Sequence, residues 1–273
     1  MKNRLYGVAC EINIELILLP LMFLLGISVG SFLNVVADRV PAGKSILRPP
    51  SHCFNCGHVL TARDLIPIVS YLVLRGKCRY CGHAIPARFM LVELATGLLF
   101  ILVLIVFGLS WQALMVAIMG SFLIMLFITD LEQDVLPQII VYSGVAVALS
   151  FAALRPITGT TPGIISALIG FAIGFGAFLL LWAVPKIFKK NIMGFGDVGT
   201  AGLIGASVGY PVILVAVYIA ILAGGLTAAM LVVFKIKKLG QPMQFGVFLA
   251  LGGVISLFCG HDIADALWQL HML

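Results

Sequence analysis

Charge is scarce in this sequence. Only 10% of its 273 residues are Asp, Glu, Lys or Arg, and only eleven are acidic, whereas soluble domains carry about 25% charged residues. That deficit excludes an ordinary water-soluble enzyme. It also excludes disorder and coiled coil, since both need more polar surface. The alternation of polar and apolar residues that marks a transmembrane β-barrel is missing too, because runs such as Leu98–Phe107 are apolar on both faces. No small-residue cleavage site follows the first apolar stretch, so it reads as a retained span and not as a removed signal. A glycine-rich nucleotide-binding βα unit and a clear internal repeat are absent as well.

What is present is apolar: 62% of residues are AVILMFWYC, and the mean hydropathy is +1.16. Charge-free stretches run over 16–37, 94–129, 135–154, 156–185, 198–234 and 239–261. A spanning helix needs about 20 such residues. The second and fifth stretches each hold two, divided by the turn-like Gly108–Ser110 and Gly209–Pro211. The expectation is an all-α polytopic membrane protein of about eight spans: 16–37, 89–108, 111–129, 137–154, 163–184, 197–209, 212–234 and 243–260. The 197–209 piece is short for a full crossing. It is expected to be a half-helix covered by its neighbours, because irregular backbone at membrane depth needs such cover.

Basic residues favour cytoplasmic loops. With these spans, Arg39, Lys44, Arg48, Arg63, Arg75, Lys77, Arg79 and Arg88 fall on one face, together with the clusters Lys186, Lys189, Lys190 and Lys235, Lys237, Lys238. Only Lys2, Arg4 and Arg155 fall on the other. The rich face is expected to be cytoplasmic, with both termini outside. The formal charge of +6 therefore follows the membrane and gives no reason to invoke a nucleic acid.

Four of the six cysteines form Cys53-Phe-Asn-Cys56 and Cys78-Arg-Tyr-Cys81, separated by 21 residues. Each CxxC makes a knuckle that aims two thiolates at one point, and two knuckles complete a tetrahedral zinc shell. Gly57 and Gly82 follow directly, where the backbone needs freedom. Disulfides would be the alternative, but they are rare in a reducing cytoplasm. Cys53, Cys56, Cys78 and Cys81 are thus expected to hold structural zinc. His52, His58 and His83 read as surface or supporting groups, and Cys10 and Cys259 as packing residues.

Ionisable groups at membrane depth are functional candidates. Asp130 ends an apolar run, in Thr129-Asp130-Leu131-Glu132-Gln133-Asp134-Val135-Leu136-Pro137, and Asp197 ends Gly194-Phe195-Gly196-Asp197 before the next apolar helix. Both fall at the cytoplasmic ends of spans. Two carboxylates brought together share a proton, so one can activate water while the other protonates a peptide carbonyl. Gly194 and Gly196 would let a substrate backbone approach closely. The plainer alternative makes Asp197 a helix cap and Asp130 a solvated helix-end charge. Asp130 and Asp134 share a helix face, and position alone does not separate them.

These residues resemble the type IV prepilin peptidases, membrane aspartic proteases with a GxGD box. Gly30-Ser31-Phe32-Leu33-Asn34-Val35-Val36 with Arg39 and Pro41 is similar to the family's N-terminal signature. The four cysteines, with Ser70-Tyr71-Leu72 and Leu74-Arg75-Gly76 between the pairs, resemble its cytoplasmic module, and Arg88, Leu91–Leu94 and Thr96 the segment after it. Asp130 through Pro137 has the spacing of the first catalytic aspartate, Gly194–Asp197 is the box, and Phe245-Gly246 with Phe248-Leu249-Ala250 resembles a late family segment. There are departures from the common pattern: Gln138, Gln244-Phe245-Gly246-Val247, and Phe54 after Cys53.

The resemblance implies a catalytic pair, Asp130 and Asp197. The implied substrates are prepilins and pseudopilins, cut at the cytoplasmic face of a bacterial inner membrane just before their apolar helix. It also implies N-methylation of the new terminus with S-adenosylmethionine, for which Glu93, Arg88 and Asn34 are candidate or supporting residues. Glu93 has an equal structural alternative as an ion-pair partner of Arg88 or Arg39. The expected division is a first span (1–37), a zinc module (38–88) and a peptidase domain (89–273), in contact with membrane lipid. Two competing readings are a transporter with midspan carboxylates and a scaffold that docks a partner through its zinc module.

Overall fold

The structure is a computed structural model that describes residues 2–155, 161–187, 193–236 and 244–271, with side chains described from residue 17 and not at 268, 270 or 271. Lys189, Lys190, Lys237, Lys238 and the Cys10 side chain lie outside the described residues. The chain divides into two compact units, Met1–Leu109 and Ser110–Leu273.

The first unit contains α1 (Lys2–Arg39), a 3₁₀ turn (Ala62–Leu65), α2 (Val69–Val73) and α3 (Arg88–Phe107). The second contains α4 (Trp111–Gln133), α5 (Gln138–Ala153), α6 (Ile164–Ile187), α7 (Phe195–Val208), α8 (Val212–Val233) and α9 (Phe245–His271). Among the described residues six helices are long and apolar enough to cross a membrane: α3, α4, α6 and α8, with residues 17–39 of α1 and 245–267 of α9. α5 and α7 are apolar but shorter. The eight expected helices are all present, and the protein is an all-helical, multi-pass membrane protein. α1 begins earlier and α9 runs further than the apolar stretches alone indicated.

Local chemistry sets the ends. Pro137 and Pro211 immediately precede α5 and α8, where the missing N–H is no loss. Ser110 caps α4 by accepting the Ala113 N–H at 3.1 Å, and Gly209 ends α7 at φ +72°.

Packing follows small residues. Lipid gives helices no hydrophobic reason to associate, so close backbone approach and van der Waals contact must hold them. In the first unit Gly26 and Gly30 of α1 lie against α3, where an added Cβ would come within 2.7 Å of the Thr96 carbonyl and the Glu93 Cα respectively. In the second unit α7 packs chiefly on α6. Gly170 and Gly174 of α6 meet Gly205 and Ala201 of α7, backbone on backbone. Every residue from Asp197 to Val208 is buried, so the expected half-helix is the centre of its unit. A methyl at Gly170 would collide with the Gly205 carbonyl. Gly170→Ala should therefore lower stability by about 1–3 kcal/mol, read as a lower midpoint of thermal unfolding in detergent. An unchanged midpoint would mean that α6 and α7 can part without loss.

Candidate active site and metal centre

Asp130 lies one turn before the end of α4 and is 6% exposed; Asp197 is the third residue of α7 and is also 6% exposed. Asp134 behaves differently. It is exposed, sits at the helix C-cap with φ +53°, and gives its N–H to the Asp130 carbonyl at 3.0 Å. Burial thus separates the two acids that position along the helix left equivalent.

The surroundings of Asp130 were not legible in the sequence. Its Oδ2 accepts the Val247 N–H at 2.9 Å, an otherwise unpaired amide in the first turn of α9. A Cβ added at Gly246 would fall 2.7 Å from that oxygen. Gln244 Nε2 donates to the Leu131 carbonyl at 3.3 Å, which ties the start of α9 to the end of α4. Leu136 connects this group to α7: its Cδ1 lies 3.0 Å from the Cβ position of Gly246 and 2.9 Å from that of Gly196. Asp197 lies within electrostatic reach of Asp130, and its carboxylate turns back to the backbone of Gly194 at the N-cap. Each acid thus sits at a helix N-terminus, α9 for Asp130 and α7 for Asp197, where the dipole favours negative charge. Gly196 is needed because Leu136 fills the space a side chain would take, while Gly194 is open.

In the first unit the two knuckles are built alike. Cys53 N–H donates to the His58 carbonyl at 2.9 Å and Cys78 N–H to the His83 carbonyl at 2.8 Å. Gly57 and Gly82, at φ +70° and +71°, donate back to the Cys53 and Cys78 carbonyls at 2.9 Å each. All four sulfurs lie within 4.8 Å of one another, and Cys53 Sγ and Cys81 Sγ are 3.8 Å apart. A tetrahedron with Zn–S bonds of about 2.3 Å has edges of about 3.8 Å. The donor set therefore fits a metal ion, and the cysteines are not disulfide-linked. Cys78 is buried whereas Cys56 and Cys81 are exposed. The N–H groups of Cys56 and Asn55 hold Cys53 down to about 6. Cys56 rises to about 11, despite the His58 N–H, because it is desolvated and shares hydrogens with Cys81 and Cys53. Four neighbouring thiols cannot all ionise without a cation among them.

A polar clasp between the 3₁₀ turn and the second knuckle was also missed. Asp64 accepts from Arg79 Nε at 2.7 Å, the Thr61 hydroxyl at 2.8 Å, the Thr61 N–H at 3.1 Å and the Tyr80 hydroxyl at 3.2 Å. Arg79 and then Thr61 hold its carboxyl well below the usual range. Its ionised form therefore contributes stability above the unfolded value near pH 4, and that contribution is lost as pH falls through the lower folded value. Asp64→Asn should hasten proteolysis within 38–88 at pH 7, and wild type should converge on the variant in acid. Equal rates at pH 7 would remove the clasp from the account. The His58 ring lies against Tyr80 with centroids 3.6 Å apart and planes tilted by 33°, and His52 Nδ1 lies 3.1 Å from the Pro50 carbonyl, consistent with supporting roles.

The remaining sequence candidates share the α1–α3 face. Arg88 pairs with Asp38, and Arg39 Nη1 donates to the Ser45 and Ile46 carbonyls at 3.2 Å each. Among the described residues the ion pairs are Arg88–Asp38 and Arg79–Asp64, and Glu93 is in neither. Its Oε2 accepts the Ile68 N–H at 2.6 Å instead. Asn34 Nδ2 donates to the Phe89 carbonyl at 3.0 Å, and its buried Oδ1 has no partner among the described residues. Cys259, expected to pack, is instead exposed on α9 and not part of the packed interior.

Apolar helices with two buried acids at helix ends, together with a four-thiol cluster that could hold a metal ion, define a multi-pass membrane protein that keeps its ionisable chemistry at the ends of its helices. A family model described as the bacterial Peptidase A24 N-terminal domain matches residues 24–107, and one described as the type IV leader peptidase family matches residues 117–229. The chain belongs to the type IV leader peptidase family. It is 32% identical over 273 residues to a prepilin leader peptidase/N-methyltransferase of Pseudomonas aeruginosa, covering 90% of this chain and 92% of the relative. It is 32% identical over 277 residues to one of Burkholderia pseudomallei, covering 89% and 85%. A relative of that name from Myxococcus xanthus is 39% identical over 186 residues, covering 68% of this chain and 54% of its own length. The chain thus spans about half of that relative. No solved structure matches the chain.

Proposed function

We propose that this enzyme removes the leader peptides of prepilins and pseudopilins with Asp130 and Asp197 as its catalytic pair. The observation that carries the reading is the meeting of Asp130, Gly246, Leu136, Gly196 and Asp197 at one end of the second unit's bundle. The acids share one proton. The ionised member takes a proton from water as its oxygen attacks the scissile carbonyl carbon, and the other gives its proton to the carbonyl oxygen. Collapse breaks the C–N bond and returns a proton to the departing amine. A transporter would need the carboxylates at midspan, whereas both lie within a turn of a helix end.

The functional division is 1–37 as first span, 38–88 as zinc module and 89–273 as peptidase domain. The basic loops orient the module toward the cytoplasm of a bacterial inner membrane. Zinc is the metal favoured by a closed four-thiolate shell, which has no open position and so acts structurally. We assign support of a second activity, methylation of the new N-terminus, to Asn34, Arg88 and Glu93, the buried or paired polar groups of the α1–α3 face. When bound, S-adenosylmethionine would supply an electrophilic methyl group for the freed amine. One assay tests both activities: purified enzyme and a prepilin, with and without the methyl donor, read by the mass of the mature N-terminus. Cleavage alone would refute the second activity, and no cleavage would refute the first.

A further inference from the structure

Between Arg63 and Arg75 lies a ten-residue uncharged run, Leu65-Ile-Pro-Ile-Val-Ser-Tyr-Leu-Val-Leu74. Such a run is too short to cross a bilayer, and the usual fates for it are a buried core helix or an interfacial segment. It is not core. No residue of α2 or of the preceding 3₁₀ turn is buried, and Val69, Leu72 and Val73 are 52%, 61% and 70% exposed.

The depth of the run is fixed independently. Glu93 lies five residues into α3, about 7.5 Å from its first residue at 1.5 Å per residue. Its Oε2 holds the Ile68 N–H at 2.6 Å. The middle of the apolar run is thereby fastened beside the first turns of a 20-residue span, whose length of about 30 Å matches the hydrocarbon layer, so the run lies at the end of that span and not out in the aqueous part of the module.

Charge identifies the occupant. Residues 38–88 carry eight basic and two acidic residues. Both acids are paired, Asp38 with Arg88 and Asp64 with Arg79. Arg39, Lys44, Arg48, Arg63, Arg75 and Lys77 therefore have no carboxylate partner among the described residues. A second copy of this surface, carrying the same excess of basic residues, would be repelled by it.

We propose that residues 63–77 form an interfacial anchor, with Leu65, Ile66, Val69, Leu72 and Val73 among the acyl chains and Arg63, Arg75 and Lys77 on anionic lipid headgroups. This goes beyond the peptidase reading and does not depend on it. Each cation near an anionic surface favours docking, and three together favour it roughly a hundredfold. The test is amide hydrogen exchange of the full-length enzyme in nanodiscs of phosphatidylcholine alone and with phosphatidylglycerol added. Exchange over 65–77 should slow at least about tenfold with the anionic lipid, and salt near 1 M should largely reverse this. The triple substitution Arg63→Gln, Arg75→Gln, Lys77→Gln should abolish the difference while metal content is retained. Equal wild-type exchange in the two lipids would overturn the anchor. So would protection that appears only with added leader peptide, or only at high protein density in the disc.

Discussion

Asp130→Asn and Asp197→Asn are each expected to reduce leader cleavage by about 10²–10⁴-fold or more, with the protein still accumulating in membranes. Asparagine keeps the shape of the side chain, so an amide oxygen at 130 can still accept the Val247 N–H that now meets the Asp130 carboxylate. What is lost is the proton: an amide neither takes one from water nor gives one to a carbonyl oxygen. Because the pair acts as a unit, the double variant should be little worse than either single one. Asp134→Asn is the matched control. That residue is exposed and left-handed at the helix end, a conformation asparagine tolerates, so cleavage should persist. Full cleavage by either Asp130→Asn or Asp197→Asn would remove the carboxylate pair from the mechanism.

Loss of the metal should be the second large effect, confined to the first unit. Structural zinc in small modules contributes apparent free energies of about 10–16 kcal/mol, and segment 38–88 has little else to fold around. The buried Cys78 is the most informative ligand. Cys78→Ser should lower bound metal from one ion per chain to none, expose the loop between the knuckles to proteases, and leave the thermal unfolding of the second unit in place. Chelation of the wild-type enzyme should reproduce that loss of protection. Wild-type enzyme purified without metal, or a Cys78→Ser variant that still binds one ion, would overturn the four-thiolate site.

Much of this was legible in the sequence because membranes simplify its grammar. Uncharged runs gave eight helices, and Gly108–Ser110 and Gly209–Pro211 divided the two longest runs where the chain does turn. The doubled CxxCGH pattern foretold two matching knuckles. What could not be read were contacts that depend on distant chain segments. The amide that caps Asp130 is 117 residues away, and nothing near Asp130 announces it. Arg88 has both Asp38 and Glu93 within plausible reach by spacing, and only packing of α1 on α3 decides for Asp38. Burial of all of α7 beyond Gly196 was legible only as shortness, since a half-helix and a small-residue helix at the centre of a bundle look alike in one dimension.

That shortness has a further effect on the surrounding lipid. α5 has 16 residues and α7 has 14, lengths of about 24 and 21 Å at 1.5 Å per residue, against a hydrocarbon layer of about 30 Å. α7 is sheltered, but α5 presents Ile139 and Tyr142 outward. An apolar flank shorter than the hydrocarbon layer favours a locally thinner bilayer beside α5.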